Sequence, residues 1–318
     1  METIYLRHPI NPKKIETKPN VMALGYFDGV HKGHQEVIKA AAAKAIEDHL
    51  QLTVMTFHPH PKEVLGKSSE PMRYLTPLED KLTYMEKLGV ERIYIISFTE
   101  EFAKLSPEQF VEQYLSGLNV KHAVAGFDFT YGALGRGNME SLPEHAKGQF
   151  SQTIVPKFEY GNLKVSSSHI RELLERGEVE EIPNDLNRYY KIKGVVIDGD
   201  KRGRKLGFPT ANIQMEKRYV TPRTGVYGVR VTHGQSQYFG VCNLGYAPTF
   251  NETQKPEPII EVHLLQFKGD LYGEELEVEW IFRIRPEKKF ADFNDLVTQI
   301  EADKQTAITY FAENQLAF

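Results

Sequence analysis

Two histidines three positions apart are the first groups in this chain whose types and spacing suggest chemistry. His31 and His34 stand where a glycine-rich turn, residues 25–33, gives way to an alanine-rich stretch with helical spacing. A helix start offers free backbone N–H groups and the positive end of the helix dipole, and both attract phosphate. Two imidazoles placed there can meet the negative charge of a triphosphate. Alone, the His-x-Gly-His pattern is weak, because a histidine pair at this spacing is more often a surface feature.

Two further segments of the first half carry groups suited to a nucleotide or a flat ring. Residues 57–61 (Phe-His-Pro-His-Pro) end an apolar run, and the prolines hold the exit extended. Residues 126–132 combine glycines, which allow close approach of a ligand, with the rings of Phe127, Phe129 and Tyr131. Each segment also has a plainer interpretation, as a strand terminator and as a glycine-rich hairpin with core aromatics.

A serine cluster and an arginine form the fourth segment. Ser166, Ser167 and Ser168 precede a helical pattern, where hydroxyls cap free N–H groups and hold phosphate oxygens. Arg171 follows one turn later, and its forked guanidinium can bind a phosphate at two points. Serine-rich helix caps are common, so this segment indicates a phosphate site only because all four segments occur together in one half of the chain.

The second half opens on a different nucleotide signature. Residues 203–212 read Gly-Arg-Lys-Leu-Gly-Phe-Pro-Thr-Ala-Asn, which is no Walker A loop because it lacks Gly-Lys-Ser/Thr. Pro209 holds Phe208 extended, and in extended backbone Thr210 and Asn212 point to the same side. A hydroxyl and an amide oxygen on one side can hold Mg²⁺ beside nucleotide phosphates. The plainer interpretation, a glycine-rich turn of a barrel, accounts for the glycines but not for the Phe-Pro-Thr-Ala-Asn sequence that follows them.

One carboxylate interrupts an apolar strand pattern further on. Ile260, Val262 and Leu264 alternate along one face of the predicted strand, so Glu261 and His263 lie on the other. An outward-facing surface position is an equally good interpretation from the residues alone.

The elements that must position these groups change character along the chain. Up to about residue 180, short apolar strands alternate with amphipathic helices, which predicts a parallel, doubly wound sheet. Ligands bind at the carboxyl ends of such strands, where the segments of the first half fall. After about residue 180, short strands and turn signals predict an antiparallel barrel or sandwich. A final helix with Phe290, Phe293 and Leu296 on one face follows it. We place the domain boundary at about residue 183.

The composition excludes several classes of protein. Over 318 residues the net charge is -4, which argues against a nucleic-acid or membrane-surface partner. The single cysteine, Cys242, excludes an intramolecular disulfide and a cysteine-based zinc cluster. No stretch is apolar enough for a signal peptide or a bilayer span, so we expect a cytoplasmic protein. Other protein partners are not determined by the sequence, and weak self-association is the one expectation of this kind.

The order and spacing of these segments resemble the prokaryotic bifunctional riboflavin kinase/FAD synthetase family, from about residue 20 to residue 311. The resemblance implies an α/β plus β fold. Residues 1–183 would form a Rossmann-like nucleotidylyl transferase domain with a parallel sheet and helices on both sides. Residues 184–318 would form a small antiparallel Greek-key β-barrel with a C-terminal helix.

The resemblance also implies site residues for the first domain. The implied ATP site consists of Gly25, Phe27, Asp28, Gly29, His31, His34, Ser166, Ser167, Ser168 and Arg171. Of these, His31, His34 and Arg171 would take part in catalysis. The flavin is expected at His58, Pro59, Asp128 and Phe129. Ser168 departs from the family's usual threonine, but the hydroxyl is kept.

For the second domain, the resemblance implies a kinase site that binds ATP and Mg²⁺. Its residues would be Gly203, Gly207, Pro209, Thr210 and Asn212, with Thr210 and Asn212 as ligands of Mg²⁺. Glu261 would be the base that accepts a proton from the ribityl hydroxyl of riboflavin. Residues 222–227, 243–250 and 284–286 match the kinase pattern as well.

The implied function is ATP-dependent conversion of riboflavin to FMN and of FMN to FAD, with pyrophosphate released in the second step. One alternative is a first domain that adenylylates another phosphate ester; the attached kinase pattern argues against it, because its product would be the other domain's substrate. The other alternative is a flavin sensor without turnover, which would not need to keep both sets of catalytic residues.

Overall fold

The first half of the chain folds around a six-stranded parallel sheet, as the alternating pattern predicts. The strands of this part are β1 (Glu2–Arg7), β2 (Asn20–Leu24), β3 (Gln51–His58), β4 (Arg92–Ser97), β5 (Val120–Gly126), β6 (Thr130–Tyr131), β7 (Gly137–Asn138), β8 (Ser151–Val155), β9 (Glu159–Tyr160) and β10 (Leu163–Lys164). The sheet order is β1-β4-β3-β2-β5-β8, and the short strands pair as β6–β7 and β9–β10 hairpins.

The computed structural model describes residues 1–66, 71–161, 163–199, 207–215, 217–246, 258–290 and 292–316, without the side chain of Phe293. Two compact units, Met1–Ser167 and Ser168–Phe318, divide the chain within one helix, Ser167–Arg176.

Helices cover both faces of the sheet. They are α1 (Lys32–Glu47), α2 (Pro61–Leu65), α3 (Leu78–Lys87), α4 (Glu100–Ala103), α5 (Pro107–Phe110, continuing as a π-helix over Val111–Ser116) and α6 (Leu142–Ala146). Successive residues of β2 face opposite sides, so Met22 and Leu24 belong to one apolar core, whereas Val21 and Ala23 belong to the other. The central strand is therefore buried on both faces, as its unbroken apolar sequence predicts.

Central strand β2 pairs in parallel with β3 on one side and with β5 on the other. The chain proceeds from β2 to β3 and β4 in one direction and later fills the other side with β5 and β8, so the strand order reverses beside β2. Ligands of open α/β sheets bind beyond the carboxyl ends of the strands at such a reversal. The segments that follow Leu24, His58 and Gly126 all lie at that edge.

The second unit begins within helix α7 (Ser167–Arg176), which is followed by Gly177 with φ of +79°. Helix α8 (Ile182–Leu186) follows. Then come the barrel strands β11 (Tyr190–Ile197), β12 (Ala211–Gln214), β13 (Gly225–His233), β14 (Ser236–Tyr246), β15 (Pro258–Leu264) and β16 (Glu275–Arg285). The barrel closes in the order β11-β12-β15-β14-β13-β16, with antiparallel neighbours throughout.

The barrel interior is filled by large side chains, among which Trp280, Tyr190 and Tyr227 are fully buried. Helix α9 (Phe293–Glu313) packs against the outside, where the Phe311 ring lies 4.4 Å from that of Phe239. The helix begins after Asp292, whose carboxylate accepts a hydrogen bond from Asp295 N, so the predicted helical position of Phe290 is wrong. Among the described residues, no helix is both long enough and apolar enough to cross a membrane.

Candidate active sites

The turn after β2 has a backbone that most residues avoid. Phe27, Gly29 and Val30 have φ of +57°, +87° and +43°, of which only the glycine adopts such a value without strain. Gly25 is in contact with the Phe27 ring, because a Cβ built on it would lie 2.8 Å from the ring. Strained residues persist only where the surroundings hold them, and they concentrate at functional sites.

Side chains from three other elements hold this turn by its carbonyl groups. Thr56 Oγ1 donates to the Tyr26 carbonyl at 2.9 Å, and Ser167 Oγ donates to the Asp28 carbonyl at 2.8 Å. Gln35 Nε2 donates to the Val30 carbonyl at 3.0 Å. The C=O and N–H of a trans peptide point in opposite directions, so these bonds aim the N–H groups that follow each carbonyl away from the anchors. The peptide groups of this turn are therefore held in place from three separate elements.

His31 and His34 lie together at the start of α1, as predicted. His31 is the N-cap residue, and its Nδ1 accepts from His34 N at 3.3 Å, which leaves the ring proton on Nε2. The two rings stack 3.5 Å apart with an interplanar angle of 18°, and the edge of Phe27 meets His34 at 5.2 Å. Gly33 packs closely under this stack, since a Cβ there would lie 3.2 Å from the His31 ring.

The predicted flavin residues follow the neighbouring strands. A cis peptide joins His58 to Pro59 directly after β3. Asp128 follows β5, and its carboxylate receives a 2.7 Å ion pair from Lys164 on β10. The Lys164 ammonium also lies 4.9 Å from the centre of the Phe127 ring. These contacts connect the loop after β5 to the β9–β10 hairpin.

The aromatic residues of this loop differ in what they can contact. Phe127 is 46% exposed, whereas Phe129 packs against the core and Tyr131 is buried with its hydroxyl 2.8 Å from His145 Nδ1. Tyr131 is therefore a core residue. Phe127 is the ring most open to a ligand among the three.

Two contacts from helix α3 and the residues just before it were missed by the sequence reasoning. Thr76 N, just before the helix, donates to the buried Asp28 Oδ1 at 3.1 Å. Lys81 Nζ donates to the Tyr26 carbonyl at 2.7 Å. Burial lowers the pKa of Lys81 to about 8, a shift that the nearby Asp28 carboxylate opposes. The spacing of α3 could have identified Lys81, because this charged residue lies on the same helical stripe as the apolar Leu78 and Met85.

The serine segment lies at the division between the two units. Ser167 contacts the Asp28 carbonyl within the first unit. Ser168 and Arg171 belong to the second unit, on the first turns of α7. On the same helix, His169 Nε2 lies 3.6 Å from the buried Asp185 Oδ2.

The barrel brings three polar residues into one row across adjacent strands. Glu261 of β15 pairs in register with Asn212 of β12 on one side and with Asn243 of β14 on the other. Directly opposed residues of antiparallel strands point to the same face, and the flanking Ile260 and Val262 are buried on the opposite one. The predicted face of Glu261 is confirmed. The sequence placed Asn243 in the kinase pattern but assigned it no function in the site, because the spacing of residues does not reveal which residue lies opposite Glu261.

Two contacts hold the segment that leads into β12. His263 Nδ1 lies 2.9 Å from the Pro209 carbonyl, and Gly199 lies directly against the Asn212 amide. Thr210 is exposed beside them, and Gly207 has φ of +83°. The predicted Gly203 lies outside the described residues, as do residues 247–250 of the kinase pattern. In the part of the chain that is described, no three histidine, cysteine or acidic side chains are grouped to hold a metal ion.

Two known family models match the chain on either side of a point close to the division between the two compact units. The FAD synthetase family model matches residues 13–169, and the riboflavin kinase family model matches residues 186–311. Together they account for most of the chain.

Relatives resemble the whole chain. A Bacillus subtilis protein named bifunctional riboflavin kinase/FMN adenylyltransferase is 51% identical over 98% of this chain and 99% of its own. Proteins of the same name from Listeria monocytogenes and Escherichia coli K12 are 46% and 34% identical, over 98% and 92% of this chain and 99% and 92% of theirs. A Streptococcus pneumoniae crystal structure titled macrolide-efflux protein superposes with a TM-score of 0.87 at 34% identity, covering 96% of this chain and 99% of that one.

Proposed function

The chain belongs to the bacterial bifunctional riboflavin kinase/FMN adenylyltransferase family, and from this premise we propose how its residues divide the work. The enzyme phosphorylates riboflavin with ATP to give FMN, and it joins FMN to the AMP part of ATP to give FAD. We assign FMN adenylylation to residues 1–183 and riboflavin phosphorylation to residues 184–318. The stacked His31–His34 pair on a helix start, at the edge where the strand order reverses, is the observation that carries the first assignment.

In the adenylyl transfer, an oxygen of the FMN phosphate attacks the α-phosphorus of ATP. The bond from that phosphorus to the bridging oxygen of the β-phosphate breaks, and pyrophosphate leaves. The His31 Nε2 proton, the His34 ring and the N–H groups of the turn would neutralise the charge that grows on the leaving group. Ser166, Ser167, Ser168 and Arg171 would hold further phosphate oxygens. Catalysis here is positioning and charge neutralisation, without a covalent enzyme intermediate.

The flavin of this step would lie beside the loops after β3 and β5. His58 and Pro59 border the site on one side, and Asp128 and Phe129 border it on the other. The exposed ring of Phe127 adds a stacking surface there. These loops and the phosphate turn all follow neighbouring parallel strands at one edge of the sheet, which supports a shared site.

In the kinase reaction, the terminal ribityl hydroxyl attacks the γ-phosphorus of ATP. Glu261 would accept the hydroxyl proton as the new P–O bond forms, and ADP would leave with the electrons of the broken bond. Asn212 and Asn243 flank that carboxylate in register and would orient it and the phosphates. Thr210, in the segment held by His263, would bind phosphate from the end of β12.

The donor groups at this site fit Mg²⁺. Hydroxyl, amide and carboxylate oxygens are the ligands that this ion prefers, and it commonly takes only one or two protein groups beside substrate phosphates. Thr210 and Asn212 would hold it. When bound, the ion withdraws charge from the phosphate oxygens.

The cell compartment and self-association are further proposals. We propose that the enzyme acts in the cytoplasm, since it carries one buried thiol and uses ATP in both steps. Riboflavin, FMN and ATP are its small-molecule partners. Weak self-association remains a prediction, to be checked by sedimentation over a concentration series.

Incubation of the purified chain with riboflavin and Mg-ATP, followed by separation of the flavins, tests the function. We expect FMN to appear first, then FAD with an equal amount of pyrophosphate. Tight flavin binding with neither product would support a sensor instead. FMN without FAD, also from supplied FMN, would favour a different phosphate ester as the substrate of the first site.

A further inference from the structure

Lys81 is a buried cation whose ammonium is held by a backbone carbonyl and an aromatic ring. It is 2% exposed, and among the described residues it forms no ion pair. Its ammonium donates to the Tyr26 carbonyl at 2.7 Å and contacts Thr56 Oγ1 at 3.4 Å. It also lies 4.5 Å from the centre of the Tyr26 ring.

A lysine in this setting is costly, because burial removes the ammonium from water. Lysines are almost never fully buried unless they are paired. Here the compensation comes from the carbonyl dipole and the negative ring face of Tyr26, together with the attraction of the nearby Asp28 carboxylate. An apolar side chain such as that of Met85, on the same stripe of α3, would fill the space without this cost.

Tyr26 is the residue that precedes the strained part of the phosphate turn. Its carbonyl accepts from both Lys81 and Thr56, and these bonds determine where the N–H of Phe27 points. Because Thr76 N binds the Asp28 carboxylate as well, the α3 region holds the turn at two positions two residues apart. The positive φ of Phe27 falls between these two attachment points.

We propose that Lys81 is a positioning residue for adenylyl transfer: its ammonium fixes the Tyr26 carbonyl and thereby sets the backbone donors that receive the triphosphate. This inference rests on the proposed function of the first site. Lys81 acts through the turn and does not itself touch the substrate.

The experiment compares K81M with the matched variant K87M. Lys87 lies on the same helix but is exposed, with its ammonium 6.0 Å from the Tyr84 ring centre. FAD formation from FMN, FMN formation from riboflavin, and amide hydrogen exchange over residues 25–34 are measured on each protein. The kinase reaction of the same chain reports on the amount of intact enzyme.

We expect K81M to lower kcat/KM for FAD formation by about ten- to a hundredfold, the scale of a small misplacement in an active site. Exchange over residues 25–34 should become faster, while the kinase reaction and K87M stay unchanged. Unchanged exchange, or unchanged FAD formation, in K81M would overturn the proposal. T56V provides the second test if K81M fails to fold, because Thr56 donates to the same carbonyl; normal exchange and activity in T56V would then overturn it.

Failure of the proposed function would look different. A wild-type chain that forms no FAD contradicts the assignment of the first site. The exchange comparison between wild type, K81M and K87M still decides whether Lys81 holds the turn.

Discussion

Gly199 lies directly against the side-chain amide of Asn212. A Cβ built on this glycine would be 2.1 Å from Asn212 Nδ2 and 2.5 Å from its Cγ. The glycine lies two residues after the end of β11, whereas Asn212 lies in β12 beside Glu261. One small residue outside the predicted motif thus leaves room for the amide in the kinase site.

The substitution G199A should therefore impair the kinase selectively. The added methyl must displace the Asn212 amide, and we expect kcat/KM for FMN formation to fall by about tenfold or more. The φ of Gly199 lies outside the left-handed region, so alanine adds no backbone strain. FAD formation from supplied FMN is the internal control. A kinase reaction at wild-type rate would show that the position of Asn212 does not matter.

Loss of the carboxylate in E261Q should remove most kinase activity. General-base catalysis typically contributes about 10²- to 10⁴-fold, and we expect kcat to fall within that range while riboflavin still binds. FAD formation should be unaffected. E275Q, at an exposed end of β16, is the matched control. An unchanged kcat in E261Q would contradict the assignment of Glu261 as the base that accepts the ribityl hydroxyl proton.

Removal of the second imidazole in H34A should affect only the other activity. The variant lacks a ring that stacks on His31, and FAD formation should fall by about a hundredfold or more, as for loss of a transition-state donor. FMN formation should stay at the wild-type rate. H34N keeps a donor and should lie between H34A and wild type. Equal loss of both activities in folded H34A would contradict two separate sites.

The lowered pKa of Lys81 predicts an alkaline limit for adenylyl transfer. Burial lowers this pKa to about 8, against the attraction of the Asp28 carboxylate, so the folded protein loses the ammonium charge above about pH 8. FAD formation should decline through that pH, and K81R should move the decline to higher pH. The kinase reaction is the reference profile.

The same shift affects stability with a definite sign. Between pH 8 and the ordinary lysine pKa of 10.5, the unfolded chain binds a proton that the folded chain has lost. The Lys81 contribution to the free energy of unfolding of the first unit should therefore rise with pH over this interval. Denaturant titrations of wild type and K81M at the two ends of the interval measure it. A difference between the two proteins that falls with pH would contradict the assignment.

The Arg285–Asp303 ion pair should stabilise the second unit. Arg285 Nη2 lies 2.8 Å from Asp303 Oδ2, and the aspartate side chain is only 4% exposed. In R285M a buried carboxylate loses its partner, which costs about 3–5 kcal/mol in comparable cases. Urea unfolding measures the loss. E301Q, which breaks an exposed pair with Lys304, should cost about 1 kcal/mol or less.

Local patterns predicted much of this molecule because they depend on neighbours in sequence. The helix start at His31, the alternation around Glu261 and the strand ends after Leu24 and His58 follow from periodicity and turn residues. Strand β1 was not predicted. Its short apolar stretch lies between the charged residues Glu2 and Arg7, and its composition does not differ from that of an unstructured terminus. Lateral relationships could not be predicted: periodicity carries no register, so Asn243 beside Glu261 and Lys81 beneath Tyr26 emerged only from the fold.

The row formed by Asn212, Glu261 and Asn243 has a consequence for folding order. Its members come from three strands, and β12 pairs on its far side with β11, so the row forms together with the barrel's long-range pairings. Pairings between segments distant in sequence form slowly, because loop closure must precede any gain from contacts. In refolding from denaturant, kinase activity should thus be recovered only as the barrel closes.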